Sequence, residues 1–176
     1  MTDPEPAPLP ALPSFERAVA AAKIAPGRPV TATLAMSEED RAALAEAFGI
    51  PGVEALTGEA LAARRGGLIE VEGEVRAVLK RQCVVSLEDM TEEIDEAFTV
   101  SYTEREPERG GPEAEVDLDA PEWLEDGTLD LGAVLIEQLV LAMTPHPRKP
   151  GAVAPTDPGA GVVIGAFDAL KALKTD

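Results

Sequence analysis

The most regular pattern of hydrophobic positions lies in Glu125–Gly151, and it predicts a helix. Apolar residues recur there at the i, i+3, i+4, i+7 spacing that places them on one helical face. We expect the helix to begin near Leu129–Asp130, capped by Asp126 or Thr128, and to end before the prolines. The stripe consists of Leu131, Val134, Leu135, Gln138, Leu139 and Ala142, and it is widened by Ile136, Val140 and Met143. A stripe this wide predicts a core helix, with the rest of the chain packed around it.

Alternating apolar and polar residues, the pattern of half-buried strands, recur earlier in the chain. The clearest run is Leu68–Lys80, in which Gly73 indicates a bulge or a bend. Val53–Ala63 is ambiguous, because its composition favours a helix whereas its position favours a strand with a bulge at Gly58. The other predicted strands are Arg28–Ala35, Gln82–Leu87 and Ile94–Tyr102, and Phe15–Ala22 is either a short strand or a helical turn.

These elements predict an α+β fold. Between two strands, Ser37 and Asp40 can form the capping box of a helix that ends at Gly49. Strands joined by short links pair as an antiparallel meander, here packed by two or three helices. A small, partly closed barrel is the alternative.

The domain organisation follows from where proline, glycine and acidic residues concentrate. Residues 14–144 are expected to form one α+β domain that contains an acidic mobile loop at 103–122. Residues 1–13 are expected to be a disordered tail. Residues 145–176 form a Pro/Gly-rich tail with a short amphipathic segment, Ala166–Lys174, which is too short to be a stable helix alone. That segment must therefore dock on another surface or fray.

Composition narrows the class of protein. Of the 176 residues, 45% are apolar but only 3% aromatic, so the core is expected to be aliphatic. No apolar run reaches the roughly 18–20 residues of a membrane helix, and the N-terminus lacks the features of a signal peptide. One cysteine excludes an internal disulfide framework. These features predict a cytoplasmic protein.

The net charge of −18 is concentrated in one region. Residues 86–126 contain sixteen acidic residues and two basic ones, which accounts for 14 of the 18 net negative charges. Such a segment repels bare RNA or DNA, because phosphate contacts require Lys and Arg. It favours a basic protein partner, since complementary fields raise association rates. The alternative is an acidic loop that only keeps the protein soluble.

The sequence contains few candidates for catalytic or metal-binding residues. Cys83 and His146 are the only cysteine and the only histidine, too few for a zinc site. Cys83 is expected to be a buried strand residue and His146 a solvated loop residue. A phosphate-binding loop is not indicated, because Arg64–Gly67 lacks the lysine and helix that should follow. We therefore expect no cofactor, no metal and no enzymatic activity.

The basic residues form one small group that could face RNA. Five lie on one predicted hairpin and two follow the core helix: Arg64, Arg65, Arg76, Lys80 and Arg81, and then Arg148 and Lys149. The alternative is surface charge that balances nearby glutamates, including Glu70, Glu72 and Glu74. No aromatic platform accompanies the group, so stacking of single-stranded bases is not indicated.

Two blocks of the sequence together resemble the YceD family, the large ribosomal RNA subunit accumulation proteins, in its alphaproteobacterial branch. The first block, Gly73–Tyr102, contains Cys83, Ser86, Leu87 and Glu88, where the family has Cys-x-x-Cys or Cys-x-x-Thr/Ser and then Leu-Glu. The second block, Glu125–Ala152, contains Leu129-Asp130-Leu131-Gly132, then Glu137-Gln138-Leu139-Val140-Leu141, then Pro145, Pro147 and Pro150. Ser86 stands in place of the second cysteine, which puts a metal or redox role in doubt here.

The resemblance implies a non-enzymatic factor that supports accumulation of large-subunit ribosomal RNA, through ribosome assembly or through RNA processing or stability. The expected partner is a ribosomal protein or assembly factor of basic character. Binding to DNA or to a membrane is not expected. Direct RNA binding, a generic acidic interaction module and a small carboxylate-based hydrolase or transferase are the alternatives. The residues expected to bind the partner are Asp130, Glu137, Gln138, Pro145, Pro147, Arg148 and Lys149.

Overall fold

The computed structural model describes residues 18–106 and 120–154. The predictions for residues 1–13, for most of the acidic loop and for Ala166–Lys174 lie outside the described residues. The helices are α1 (Glu38–Phe48) and α2 (Leu131–Ala142), with a single 3₁₀ turn at Ala21–Lys23. The strands are β1 (Ala18–Ala20), β2 (Val30–Ala35), β3 (Gly52–Arg65), β4 (Leu68–Gln82), β5 (Asp89–Thr103), β6 (Glu122–Trp123) and β7 (Thr128–Asp130).

The main sheet has five strands in the order β2-β3-β4-β5-β6. β2 to β5 form the expected antiparallel meander, whereas the two-residue β6 runs parallel to the end of β5. β1 and β7 form a separate antiparallel pair that brings the start of the described chain to the start of α2. The α+β prediction is confirmed, and the described strands do not close into the alternative barrel.

The alternation in Leu68–Lys80 correctly predicts β4, and its apolar side lies in the core. The bulge predicted at Gly73 is wrong, because Gly73 stays in register with Ala60 on one side and Phe98 on the other. A Cβ at Gly73 would lie 2.6 Å from Cζ of the Phe98 ring and 2.5 Å from the Glu59 carbonyl oxygen. The glycine therefore makes room for a neighbouring ring and backbone.

Val53–Ala63 is a strand, β3, so the pairing of its neighbours overrides the helical propensity of its Ala, Leu and Glu residues. The bulge lies between Val53 and Ala55 and not at the predicted Gly58. At Gly58 the helix α2 comes close: a Cβ there would lie 2.9 Å from Cδ2 of Leu135. This contact places α2 across the buried face of the sheet.

The predicted core helix is present, but its start and its stripe differ from the prediction. Asp130 caps α2 through its Oδ1, which accepts hydrogen bonds from the amides of Gly132 at 2.9 Å and Ala133 at 3.2 Å. The predicted caps were wrong, because Thr128 belongs to β7 and Asp126 to the turn before it. Val140 is 46% exposed and does not widen the buried stripe.

α1 forms as predicted. The side chain of Ser37 accepts from the amide of Asp40 at 3.1 Å, and Asp40 accepts from the amide of Ser37 at 3.2 Å, so the capping box is closed in both directions. Gly49 ends the helix in the left-handed conformation, with φ of 62°. The signals for this helix are local, which is why sequence alone located both of its ends.

Removal of the Asp130 cap tests how much α2 depends on it. Asp130→Ala is expected to lower the free energy of unfolding by about 0.5–2 kcal/mol, because two amides at the start of the helix lose their acceptor. Asp130→Asn keeps a capping oxygen and should cost much less. Denaturant unfolding of the three proteins measures both effects, and equal losses from Ala and Asn would contradict a capping role.

Candidate functional site

The two sequence motifs meet at one place, which we call the motif junction. It consists of the turn Cys83–Glu88, between β4 and β5, and the strap Thr144–Pro150, which follows α2. The amide of Val84 donates to the carbonyl of Pro147 at 3.0 Å. On the other side, Lys149 Nζ lies 3.1 Å from Oε2 of Glu88. Residues about sixty positions apart are thus connected by a backbone hydrogen bond and by an ion pair.

The turn replaces a predicted strand. Gln82–Leu87 was predicted to continue the sheet, which is wrong, because β4 ends at Gln82 and the chain reverses. The amide of Cys83 donates to the carbonyl of Glu88, and the amide of Leu87 donates to the carbonyl of Cys83, both at 2.9 Å. Leu87 takes a left-handed conformation, with φ of 59°, which is uncommon outside glycine. The strap contacts this turn at Cys83, Val84 and Glu88.

Cys83 lies at the centre of the junction and is fully buried. Its sulfur accepts hydrogen bonds from the amides of Val85, Ser86 and Lys149, each at 3.4 Å. The Ser86 hydroxyl, and then the amides of Lys149 and Ser86, lower the pKa of the Cys83 thiol to about 6. The prediction of a buried cysteine is confirmed, but its place is in a turn and not in a strand. The sulfur acts as an acceptor that joins the strap to the turn.

The thiol should make stability depend on pH. In the unfolded chain a thiol has a pKa of about 8.5, above the value of about 6 in the folded protein. The thiolate therefore stabilises the fold fully above the unfolded pKa, and this contribution is lost as the pH falls through about 6. The stability difference between the natural chain and Cys83→Ser should thus be larger at about pH 9 than at about pH 5.5. Denaturant unfolding at both values measures it, and a constant difference would contradict the depressed pKa.

A buried ion pair anchors the strap to the sheet. Arg81 of β4 pairs with Glu92 of β5, and their side chains are only 9% and 10% exposed. Both hold the peptide groups of Thr144: Glu92 Oε1 accepts from its amide at 2.7 Å, and Arg81 donates to its carbonyl at 3.0 Å. The end of α2 is therefore fixed to the two longest strands by charge-assisted hydrogen bonds.

The residues predicted to bind a partner have different surroundings. Pro147 is buried, and Lys149 pairs with Glu88, whose pKa this lysine lowers. Pro145, His146, Arg148 and Glu137 are exposed, whereas Gln138 is half-buried and Asp130 caps α2. Exposed apolar side chains that the sequence did not indicate are Val84 and Leu87 on the turn, at 46% and 65%. The junction therefore has a fixed interior and a mixed apolar and basic exterior.

The residues predicted to face RNA are ion-paired with carboxylates. The pairs are Arg64–Glu104, Arg65–Glu70, Arg65–Glu72, Arg76–Glu74, Arg76–Asp95, Lys80–Glu54 and Arg81–Glu92. Arg64 also donates to the carbonyls of Ala21 and Ile24, both at 2.8 Å. Asp95 and Glu74 hold the pKa of Arg76 above its ordinary value. Of the seven basic residues considered for RNA or partner binding, only Arg148 makes neither a hydrogen bond nor an ion pair in the described chain.

With this geometry in place, comparison with known proteins identifies the family. The family model named for the large ribosomal RNA subunit accumulation protein YceD matches residues 71–174 of the sequence, which is more than half of the chain. The chain belongs to the YceD family. The match includes the turn, α2 and the strap, so both halves of the motif junction lie inside it. No curated protein and no solved structure matches the chain.

The YceD-family chain also has an acidic surface that was not predicted from the sequence. We call it the outer face: the side of the sheet formed by residues that alternate with the buried ones on β3, β4 and β5. Its carboxylates include Glu59, Glu72, Glu74, Glu93 and Asp95. Glu59 lies directly opposite Glu74, beside a shallow depression of about 550 Å³ that is also lined by Thr31 and Thr33. Glu59 and Glu93 make no ion pair within the described chain, so this face keeps uncompensated negative charge.

No group of three or more His, Cys, Asp or Glu side chains is placed to hold a metal ion in residues 18–106 and 120–154. Within the same ranges, no helix has the length and apolar character needed to cross a membrane.

Proposed function

We propose that this YceD-family protein is a non-enzymatic factor that supports accumulation of large-subunit ribosomal RNA by binding a basic protein of the assembling large subunit. The family assignment supports the role in accumulation of this RNA. The observation that carries the choice of partner is the charge balance of the described residues: uncompensated carboxylates on the outer face, and seven basic residues considered for RNA or partner binding of which all but Arg148 are paired with a carboxylate. We place this action in the cytoplasm, where ribosomal subunits assemble.

The pairing of the basic residues argues against RNA as the direct ligand. A phosphate contact would have to displace a carboxylate from each arginine or lysine, and the displaced carboxylate would then repel the phosphate. Arg65, for example, lies 3.0 Å from Glu70 and 2.7 Å from Glu72. Of the seven basic residues considered for this role, only Arg148 has no such competitor in the described chain, and one cation supplies little of the electrostatic affinity that binding to RNA requires.

On the outer face, in contrast, a basic protein would find carboxylates that are not already paired within the described chain. Lysines and arginines of the partner can approach Glu59 and Glu93 without displacing an existing ion pair. Their attraction to the net negative charge of this face raises the association rate and falls with added salt. The polar neighbours Thr31 and Thr33 add hydrogen-bonding groups on β2, at one edge of the same surface.

Binding to proteins of the large ribosomal subunit, freed of RNA, tests the choice of partner. The double variant Glu59→Lys and Glu93→Lys should weaken binding by about tenfold or more at low salt, because it reverses charge where no ion pair is lost. The matched control is Glu46→Lys with Glu125→Lys, which makes the same change in net charge at exposed positions away from this face. Equal weakening by both pairs would reduce the effect to net charge and would contradict the proposed surface.

A second experiment separates the protein partner from RNA. Purified fragments of large-subunit ribosomal RNA, free of protein, should not be retained at physiological salt. Retention that weakens steeply as salt rises, and that Arg148→Glu reduces, would overturn the proposal in favour of direct RNA binding.

The role itself is tested in the cell. Depletion of the protein should lower the ratio of large-subunit to small-subunit ribosomal RNA. Restoring the natural chain should recover the ratio, whereas restoring the outer-face double variant should not. An unchanged ratio after depletion would contradict the role, whatever the binding measurements show.

A further inference from the structure

One side of α2 remains open although the helix is apolar on nearly every side. Its exposed positions, which we call the open stripe, are Ala133, Glu137, Val140 and Leu141. These residues follow the i, i+4, i+7, i+8 spacing of a single helical face. Val140 is 46% and Leu141 is 70% exposed, the second of these among the most exposed large apolar side chains that the structure describes. A helix that is hydrophobic all round is ordinarily buried on all sides, so this stripe lacks a cover among the described residues.

The open stripe also has a specific electrostatic character. Glu137 lies close enough to Glu122 of β6 that it helps to raise the pKa of that carboxyl, after the effect of partial burial. The two carboxylates also contribute, after burial, to raising the pKa of the Tyr102 hydroxyl, which lies beside them. Neither carboxylate makes a hydrogen bond or an ion pair within the described chain. A cover that fits this surface must combine an apolar side with positive charge.

We propose that the open stripe of α2 is covered by the chain's own segment Ala166–Lys174, bound as an amphipathic helix. The segment brings Phe167, Leu170 and Leu173 to one side at i, i+3, i+6, with Lys171 at the border of that side and Lys174 at the C-terminal end of the segment. The apolar residues cover Val140 and Leu141, and the lysines neutralise Glu137 and Glu122. Nine residues cannot hold a helix in water alone, so docking supplies the missing stability.

The other parts of the chain outside the described residues fit this surface less well. Residues 107–119 contain five acidic residues and one arginine, so they would add to the repulsion between Glu122 and Glu137. Residues 1–17 contain three acidic residues and one arginine. The connection to the segment is long enough: the eleven residues 155–165 span up to about 35 Å, whereas α2 is about 18 Å long.

Hydrogen exchange of the full-length protein tests this docking. Backbone amides of residues 167–174 should exchange more slowly, by about tenfold or more, than the same sequence as a free peptide. Leu141→Asp should remove this protection, because it places a charge in the contact without disturbing a buried residue. Leu87→Asp is the matched control, since Leu87 is comparably exposed, at 65%, but lies on the turn between β4 and β5. Its protection pattern should equal that of the natural chain.

Charge reversal tests the orientation. Glu137→Lys should accelerate exchange in residues 167–174, and adding Lys171→Glu with Lys174→Glu should restore protection. Three results would overturn the proposal: no protection in the natural chain, protection that Leu141→Asp leaves intact, or protection that grows with protein concentration. The last would assign the stripe to the segment of a second copy. This test is independent of the ribosomal partner, so either proposal can fail without the other.

Discussion

Replacement of Glu92 by alanine is expected to lower the free energy of unfolding by about 3–5 kcal/mol. The substitution leaves the guanidinium of Arg81 without its carboxylate at a site where only 9% of that side chain is exposed. It also removes the acceptor for the Thr144 amide, which lies 2.7 Å from Glu92 Oε1. A buried charge without a partner is among the most destabilising changes that a single substitution can make.

The neighbouring Glu93→Ala is the control for Glu92→Ala, because Glu93 is exposed on the outer face and should change stability by less than about 0.5 kcal/mol. The double replacement Arg81→Met with Glu92→Leu should recover part of the loss, since it removes both charges and retains apolar volume. Urea unfolding of the four proteins measures the series. A double variant as unstable as Glu92→Ala would show that the bonds to Thr144, and not the unpaired arginine, cause the loss.

Leu135→Ala is expected to lower the free energy of unfolding by about 2–5 kcal/mol. Leu135 is fully buried on the side of α2 that faces the sheet, and its Cδ2 packs over Gly58 of β3. Because Gly58 has no side chain, it offers no atom that could move into the cavity that the truncation leaves. The loss should therefore lie toward the upper end of the range for leucine truncations.

Leu87→Ala removes the same atoms from a position that is 65% exposed, on the turn between β4 and β5, and is the control for Leu135→Ala. Thermal unfolding should separate the two variants by several degrees, and comparable losses would contradict the packing of Leu135 against the sheet. The double change Leu135→Ala with Gly58→Ala offers a further check. Its added methyl group occupies part of the cavity and should recover some of the lost stability.

The elements that sequence alone predicted are those whose signals are local. The alternation in Leu68–Lys80 and the capping box at Ser37 each depend on residues a few positions apart, and both predictions were correct. β3 was ambiguous because its side chains favour a helix, and only its pairing with β2 and β4 settles its conformation. Secondary-structure propensity depends on the residues of the segment itself, and it does not account for pairing with strands that are distant in the sequence.

The motif junction was recognisable as two motifs but not as one site. Val84 and Val85 have the β propensity of a strand, and the turn is held instead by bonds to Pro147 and Lys149, more than sixty positions away. The partners of the basic residues could not be predicted from the sequence either. Whether Arg76 meets Asp95 or a phosphate depends on the register between β4 and β5, which side-chain composition does not specify.

The strand order has a consequence for solubility. β5 has fifteen residues, but among the described strands only the two-residue β6 pairs with its far side, at Tyr102 and Thr103. From Asp89 to Ser101 that edge offers backbone amides and carbonyls on which the edge of another molecule could form a continuous sheet. The same stretch carries Glu93 and Glu96, which make no ion pair within the described chain. Two such edges would repel one another, so these carboxylates oppose aggregation edge to edge.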